Sequence, residues 1–241
     1  KDGGIDIVNA GDVDAVQLKA LGLSDRNDIS VRTDKRPGAA SANLRVGEFS
    51  TGNATGVRRG DVIFQVQGTL SFVDATKPIE ADDLSLAIYG GLGSNAAPVS
   101  TRVNSLSLQT KGVGDVYINQ GTQLLKLNNV EVADGAFTVV AAGAVDLVNV
   151  RSLSNADAND IRITAVGDVF VRYVSAGVYA ADASQAPVVL NTSGAVVANT
   201  SLSSQGDVFL TSTGGRVLET FVDDAVDVVA DVLTIEAALG V

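Results

Sequence analysis

The sequence predicts an all-β chain, a right-handed parallel β-solenoid with loop insertions, and three observations carry that expectation. The tripeptide Gly-Asp-Val recurs at Gly11, Gly60, Gly114, Gly167 and Gly206, each time beside an alternating apolar run such as Val62-Ile63-Phe64-Gln65-Val66. Recurrence of a fixed motif along a chain is the signature of stacked supersecondary units. Asp outnumbers Glu 23 to 5, a bias toward turns and caps and away from helix interiors. Twenty-five Gly against 4 Pro supply corners that need positive φ. An antiparallel β-sandwich, in one or two tandem copies, satisfies the same composition and is the alternative.

In chain order, residues 1–59 read as an irregular, loop-rich part and 60–241 as more regular repeats of one segment. Ile5 and Ile7 begin an alternating strand, and residues 12–23 fit neither the helix nor the strand period. Ile29–Thr33 and Leu44–Phe49 alternate as strands around the loop Lys35-Arg36-Pro37-Gly38. From Gly60 onward, strands are expected at 62–66, 70–73, 84–88, 103–108, 116–118 and 124–132, the last interrupted at Asn128-Asn129. Further strands are expected at 137–141, 145–150, 161–164, 169–171, 187–190, 195–198 and 208–211. The end of the chain places Asp223, Asp227 and Asp231 at helical spacing, but its β-branched residues favour a loop and a strand over 232–237. Motif intervals of 49, 54, 53 and 39 residues suggest an elementary unit of about 19–20 residues and about 12 rungs. In the motif, Gly would turn the corner, Asp would accept a stray backbone N–H, and Val would start an inward strand.

Composition removes several functions. The chain has no Cys and no His, so disulfides, thiolate chemistry, Cys-based zinc sites and a Ser-His-Asp triad are excluded. Net charge is −11, which disfavours nucleic acid and anionic membrane as partners. Residues 1–60 carry nine Lys/Arg and eight Asp/Glu, whereas no basic residue follows Arg216 and six acidic ones do. No apolar run is long enough to span a membrane as a helix. A chain beginning at Lys1 is expected to be a processed product or an excerpt.

Few residues qualify for chemistry. Asp223, Asp224, Asp227 and Asp231 could offer calcium its oxygen ligands, but they lack the spacing of known calcium loops; a solvated acidic edge is the plainer reading. Asp157/Asn159/Asp160 and Asp25/Asn27/Asp28 read as turns. Acidic pairs for glycoside cleavage can come from any Asp, yet no cluster joins acids, cations and rings, so no enzyme and no cofactor is expected. The residue after the motif Val is Asp14, Ile63, Tyr117, Phe170 or Phe209. Strand alternation sends it outward, so Tyr117, Phe170 and Phe209 are expected on one outer face, as a contact covered by a loop or another chain.

The stretches GDVFLTSTGGRVLE (206–219) and DDAVDVVADVLTIEAALGV (223–241) resemble the repeats of large bacterial exoproteins related to filamentous haemagglutinin. The likeness is close over 206–241, looser over 114–200 and weak before Gly60. It implies a secreted or cell-surface fibrous segment, adhesive or structural, without a cofactor. The expected partners are neighbouring repeats or further copies of the same protein, and surface glycans. A carbohydrate-binding or carbohydrate-cleaving module and a calcium-dependent surface module are the readings from other classes.

Overall fold

The computed structural model describes residues 3–22, 26–52, 60–74, 76–121, 123–177, 206–220 and 226–241. Among these residues there is no helix, and every strand ladder is parallel. The antiparallel alternative is thereby overturned: no described strand turns back on its neighbour.

The chain alternates between two sheets, coil after coil. Strands β1 (Ile5–Ala10) and β2 (Val13–Ala20) form the first coil; β3 (Ile29–Asp34) and β4 (Leu44–Thr51) form the second. The third holds β5 (Val62–Val66), β6 (Leu70–Phe72) and β7 (Ile79–Glu80), and the fourth β8 (Asp83–Ile88) and β9 (Val99–Arg102). Then come β10 (Ser105–Thr110) with β11 (Val116–Gln120), and β12 (Leu125–Val132) with β13 (Phe137–Ala141). The seventh coil is β14 (Val145–Leu147), β15 (Val150–Ser152) and β16 (Ile161–Ala165). The eighth is β17 (Val169–Val171), β18 (Val174–Ala176) and β19 (Val208–Ser212). The last is β20 (Val217–Glu219), β21 (Val228–Val229) and β22 (Leu233–Ala237).

The first sheet runs β1-β3-β5-β8-β10-β12-β14-β17-β20 and the second β2-β4-β7-β9-β11-β13-β16-β19-β22. This winding fits a β-solenoid. At a strand spacing of about 4.8 Å, nine strands per path make a stack roughly 38 Å tall, shorter than twelve rungs would give. The reason is coil length. Equivalent corner residues lie 21 apart from Asp115 to Ala136 and 22 from Asp61 to Asp83, but 33 from Asp28 to Asp61 and 48 from Asp168 to Arg216. The longest excursion leaves and returns at one place, where the Gly206 N–H donates to the Ala176 carbonyl at 2.9 Å. The strands expected at 187–190 and 195–198 fall outside the described residues.

Alternation fills the interior. In β5, Val62, Phe64 and Val66 point inward and are buried while Gln65 is exposed; β11 and β13 repeat the pattern. The inward residues form one continuous cluster from Ala15 to Ala230, with Phe49 and Phe64 packed edge to face at 4.9 Å between centroids. No coil could bury its apolar side alone; stacking does so. Two strands bend without leaving the sheet. In β12 the ladder to β10 shifts between Leu106 and Ser107, which skips Asn128 and restores Val130 and Val132 to the interior. In β4 the phase changes at Gly47, which lies against Val16 of β2.

The five motif copies meet at this common core. Val62, Val116, Val169 and Val208 are fully buried, and Val13 in the first coil is half-buried against the same cluster. Inward polar residues sit at strand ends, where they bond the corners. The Thr33 hydroxyl donates to the Ala42 carbonyl at 2.8 Å, and Ser212 to that of Gly167 at 2.8 Å. The Gln120 amide donates to the Val103 carbonyl at 2.7 Å and accepts from the Thr101 hydroxyl at 2.7 Å. A buried amide so satisfied avoids the desolvation penalty of an unpaired polar group.

Two expected outcomes test this packing. Val169→Asp or Val208→Asp buries an unpaired carboxylate, a cost of several kcal/mol, and should abolish the cooperative thermal transition followed by far-ultraviolet circular dichroism. Gly47→Ala would place a Cβ 1.8 Å from the Val16 carbonyl oxygen and should cost about 1–3 kcal/mol in urea unfolding. Gly38→Ala meets open space, but its φ of +85° strains any residue with a Cβ, and it should cost about 1–2 kcal/mol.

Candidate functional site: corner carboxylates and a polar groove

The Asp of the motif does more than close its own corner. The Asn43 N–H donates to the Asp12 carboxylate at 2.7 Å, and the Asn43 side-chain oxygen in turn accepts the Thr69 N–H at 2.9 Å. On the other sheet the Asp61 N–H donates to Asp28 at 2.9 Å and the Asp83 N–H to Asp61 at 3.2 Å. The same contact runs from Ala136 to Asp115, from Asp207 to Asp160, from Arg216 to Asp168 and from Val232 to Asp207. Each carboxylate therefore takes the N–H of the coil above it. In the opposite direction, the first strand N–H donates to the carbonyl of that next corner, as Val116 does to Ala136 and Val208 to Val232.

Stacking carboxylates has an electrostatic cost. Burial, reinforced by the nearby Asp83, Asp28 and Asp82, raises the Asp61 pKa above its ordinary value against the opposing Asp83 N–H. Burial likewise raises Asp207, with Asp160, Asp231 and Asp157 nearby and the Val232 N–H opposing. By contrast, hydrogen bonds from Asn159 and Ser154 lower Asp134.

The acidic residues singled out for calcium are not drawn into one site. Asp223 and Asp224 lie outside the described residues. Asp227 is buried at the corner where its carbonyl accepts the Val174 N–H, and Asp231 lies near Asp207. No group of three acidic side chains with metal-binding geometry occurs among the described residues. The half-buried Asp28 and Asp160 serve the corner ladders, and Asn159 is hydrogen-bonded to Asp134 at 2.9 Å.

The aromatic residues divide between the sheets. Tyr117 lies on β11 and Phe209 on β19, both in the second sheet, whereas Phe170 lies on β17 in the first. The single three-ring stripe is therefore not formed. Successive motif copies are separated by an odd number of half-coils, so they land on alternate sheets. On the second sheet one outward row reads Tyr117, Thr138, Arg162, Phe209, Thr234. The Arg162 guanidinium covers the Phe209 ring at 3.7 Å and bonds Asp160 at 2.5 Å. On the first sheet the corresponding row places Phe170 between Asp146 and Leu218. All three rings are half-buried within the chain itself.

A feature absent from the expectations lies on the first sheet. Two adjacent outward rows cross the coils there. One runs Arg32, Gln65, Ala87, Gln109 in ladder register. The other consists of Asp34, Gln67, Tyr89 and Lys111, which stand at the C-terminal ends of β3, β5, β8 and β10. Between long side chains, the short Ala87 leaves a depression of about 330 Å³ lined by Arg32, Gln65, Gln67, Tyr89, Lys111 and Asp34. Arg32 is paired to Asp34 at 2.9 Å, and the Lys35 ammonium stands over the Tyr89 ring at 4.9 Å. Gln65, Gln67 and Lys111 have no side-chain partner among the described residues. No local motif announces this groove, because its residues come from four coils; only the coil register assembles them.

Against known proteins, no family model matches the chain, and no curated protein and no solved structure shows significant similarity to it.

The corner ladder makes a pH-dependent prediction. A carboxyl whose native pKa is raised binds its proton more tightly when folded, so its contribution to stability declines as pH rises from the unfolded value, 3.8, through the raised one. Asp61→Asn keeps the acceptor oxygen, as Asn43 does, and removes the charge. The variant should melt about 1–2 °C above the parent at pH 7, the effect being small because the site is partly solvated. The two should converge below pH 3.8. A variant less stable than the parent at pH 7 would refute the ladder electrostatics.

Proposed function

We propose that this chain is a structural segment of an extracellular or cell-surface fibre, a right-handed parallel β-solenoid that extends by stacking strands end to end. The observation that carries this reading is the state of the core at its two ends. Among the described residues, interior coils bury their inward apolar side chains, apart from the half-buried Phe72 of β6. Ile5, Ile7, Val13 and Leu18 in the first coil and Leu233, Ile235 and Ala237 in the last are only half-buried. Among the described residues, β1 and β2 at one end and β20, β21 and β22 at the other each pair on one side only. Exposed strand edges over an open apolar column are templates for further strands.

The last residues already follow the path of another coil. The Val217 N–H donates to the Gly240 carbonyl at 3.3 Å, in the way the Val169 N–H donates to that of Arg216 at 2.8 Å. Val241 thus stands at the register position of Val217, one coil on. The stacking partner is either further repeats of the same chain or a second copy. The near-neutral first 60 residues and the acidic last 25 favour head-to-tail contact, which is heterologous and propagates as a filament. Right-handed winding follows from strand twist, which favours that hand in parallel crossovers. The resemblance of residues 206–241 to filamentous-haemagglutinin repeats supports a bacterial surface location and an adhesive role. The rows holding Tyr117 and Phe209 on one sheet and Phe170 on the other are the lateral contacts of such a fibre.

The test is association of the 241-residue segment. Sedimentation velocity should show concentration-dependent growth into linear oligomers. Ile7→Lys or Ile235→Lys, each pointing a charge into an open end, should stop growth while the interior coils keep their thermal transition. A segment that stays monomeric at millimolar concentration would contradict the proposal.

A further inference from the structure

The groove on the first sheet gathers cationic side chains from separate coils. The chain carries 28 acidic against 17 basic residues, yet the depression over Ala87 gathers Arg32 and Lys111 on its walls and Lys35 beside Tyr89, against the single Asp34. Its local balance is positive on an otherwise acidic molecule, so it focuses anions. We propose that this groove binds an acidic oligosaccharide of the uronic-acid class.

Four features select that ligand. The volume, about 330 Å³, lies at the lower end of small-ligand sites and suits one or two sugar rings in the deepest part. The lining is polar: apart from Ala87 and Val66 it consists of charged, amide, hydroxyl and phenol groups, which suits hydroxyls better than an apolar side chain. Gln65 and Gln67 each offer two donors and an acceptor with no side-chain partner among the described residues, a combination that can bond vicinal hydroxyls. Finally, the cations are few and spaced. Lys111 has no ion-pair partner among the described residues, Arg32 shares its guanidinium with Asp34, and Lys35 stands over the Tyr89 ring. That pattern answers about one carboxylate per sugar, and Asp34 opposes a densely sulfated chain. Three coil steps of about 4.8 Å give the two rows a length of roughly 14 Å, so the site is elongated, as an oligosaccharide requires.

This inference does not depend on fibre assembly and is tested on segment that cannot associate, the Ile235→Lys variant. Isothermal titration with trigalacturonate should show saturable binding that weakens as sodium chloride is raised. Neutral galactotriose should bind at least tenfold more weakly. Lys111→Gln and Arg32→Gln should each lower trigalacturonate affinity about tenfold. Ala87→Leu, which fills the floor and leaves every charge in place, should lower it at least as much. Lys126→Gln, on the same sheet outside the groove, should change nothing. All these positions face outward, and an unchanged melting curve confirms that each variant is folded. No binding of trigalacturonate at millimolar concentration overturns the proposal. So does equal or tighter binding of the neutral trisaccharide, of a heparin tetrasaccharide or of hexa-aspartate, or an Ala87→Leu variant that binds as the parent does.

Discussion

Everything in this molecule depends on one repeated exchange at the coil corners: a carboxylate accepts the N–H of the next coil, and that coil's carbonyl accepts the N–H at the start of the strand below. Parallel strands need a long connection before each return, and the corner is where backbone groups are most at risk of being left without partners. A short acidic side chain solves the difficulty at each level, because its oxygen reaches one coil spacing upward. The apolar column then follows. With corners held in register, Val62, Val116, Val169 and Val208 start their strands facing inward, and alternation does the rest. The excess of Asp over Glu is a record of this geometry: Glu, with one more methylene, would overshoot the neighbouring N–H.

The same device sets two opposing electrostatic tendencies. A column of carboxylates is self-repelling, which is visible in the raised Asp61 and Asp207. The repulsion is limited by exposure to solvent and by substitution along the column, where Asn43 or the uncharged Ala136 stands in place of an acid. Opposite charges on outward rows, such as Lys19 with Glu48 at 2.7 Å and Arg102 with Glu80 at 3.2 Å, contribute little singly. They do bias neighbouring coils toward the correct register.

How much of this was legible in the sequence depends on the range of the signal. Most strands were legible because a period of two and Gly or Asn corners are local, and the break at Asn128-Asn129 marked the bulge in β12. The inward Val was legible for the same reason. Strand β2 was not, since residues 12–23 fit neither period, and β7 and β9 were not expected as strands. What failed was any inference that required the coil length. The motif recurs at 39 to 54 residues, intervals that span an odd number of half-coils, so Tyr117 and Phe170 belong to different sheets although the motif treats them alike. The groove was illegible for a related reason. Arg32, Gln65, Ala87 and Gln109 become neighbours only through the ladders, at unequal separations, and no rule of spacing joins them. The acidic run near the end was read locally as a candidate cluster. The structure instead gives Asp227 and Asp231 to different corners.

The place where Gly206 bonds back to Ala176 has a wider meaning. Coils above and below meet through β16 and β19 and through β17 and β20 as regularly as elsewhere, although the chain travels more than twice its usual length between them. Closing a loop costs only about 0.6 kcal/mol more for each doubling of its length. Such a corner therefore acts as a port in a periodic scaffold: the stack fixes where a segment departs and rejoins, and leaves its content free to change. Surface variation in a molecule of this kind can accumulate at one corner while the repeating frame, and the spacing of everything mounted on it, stays constant.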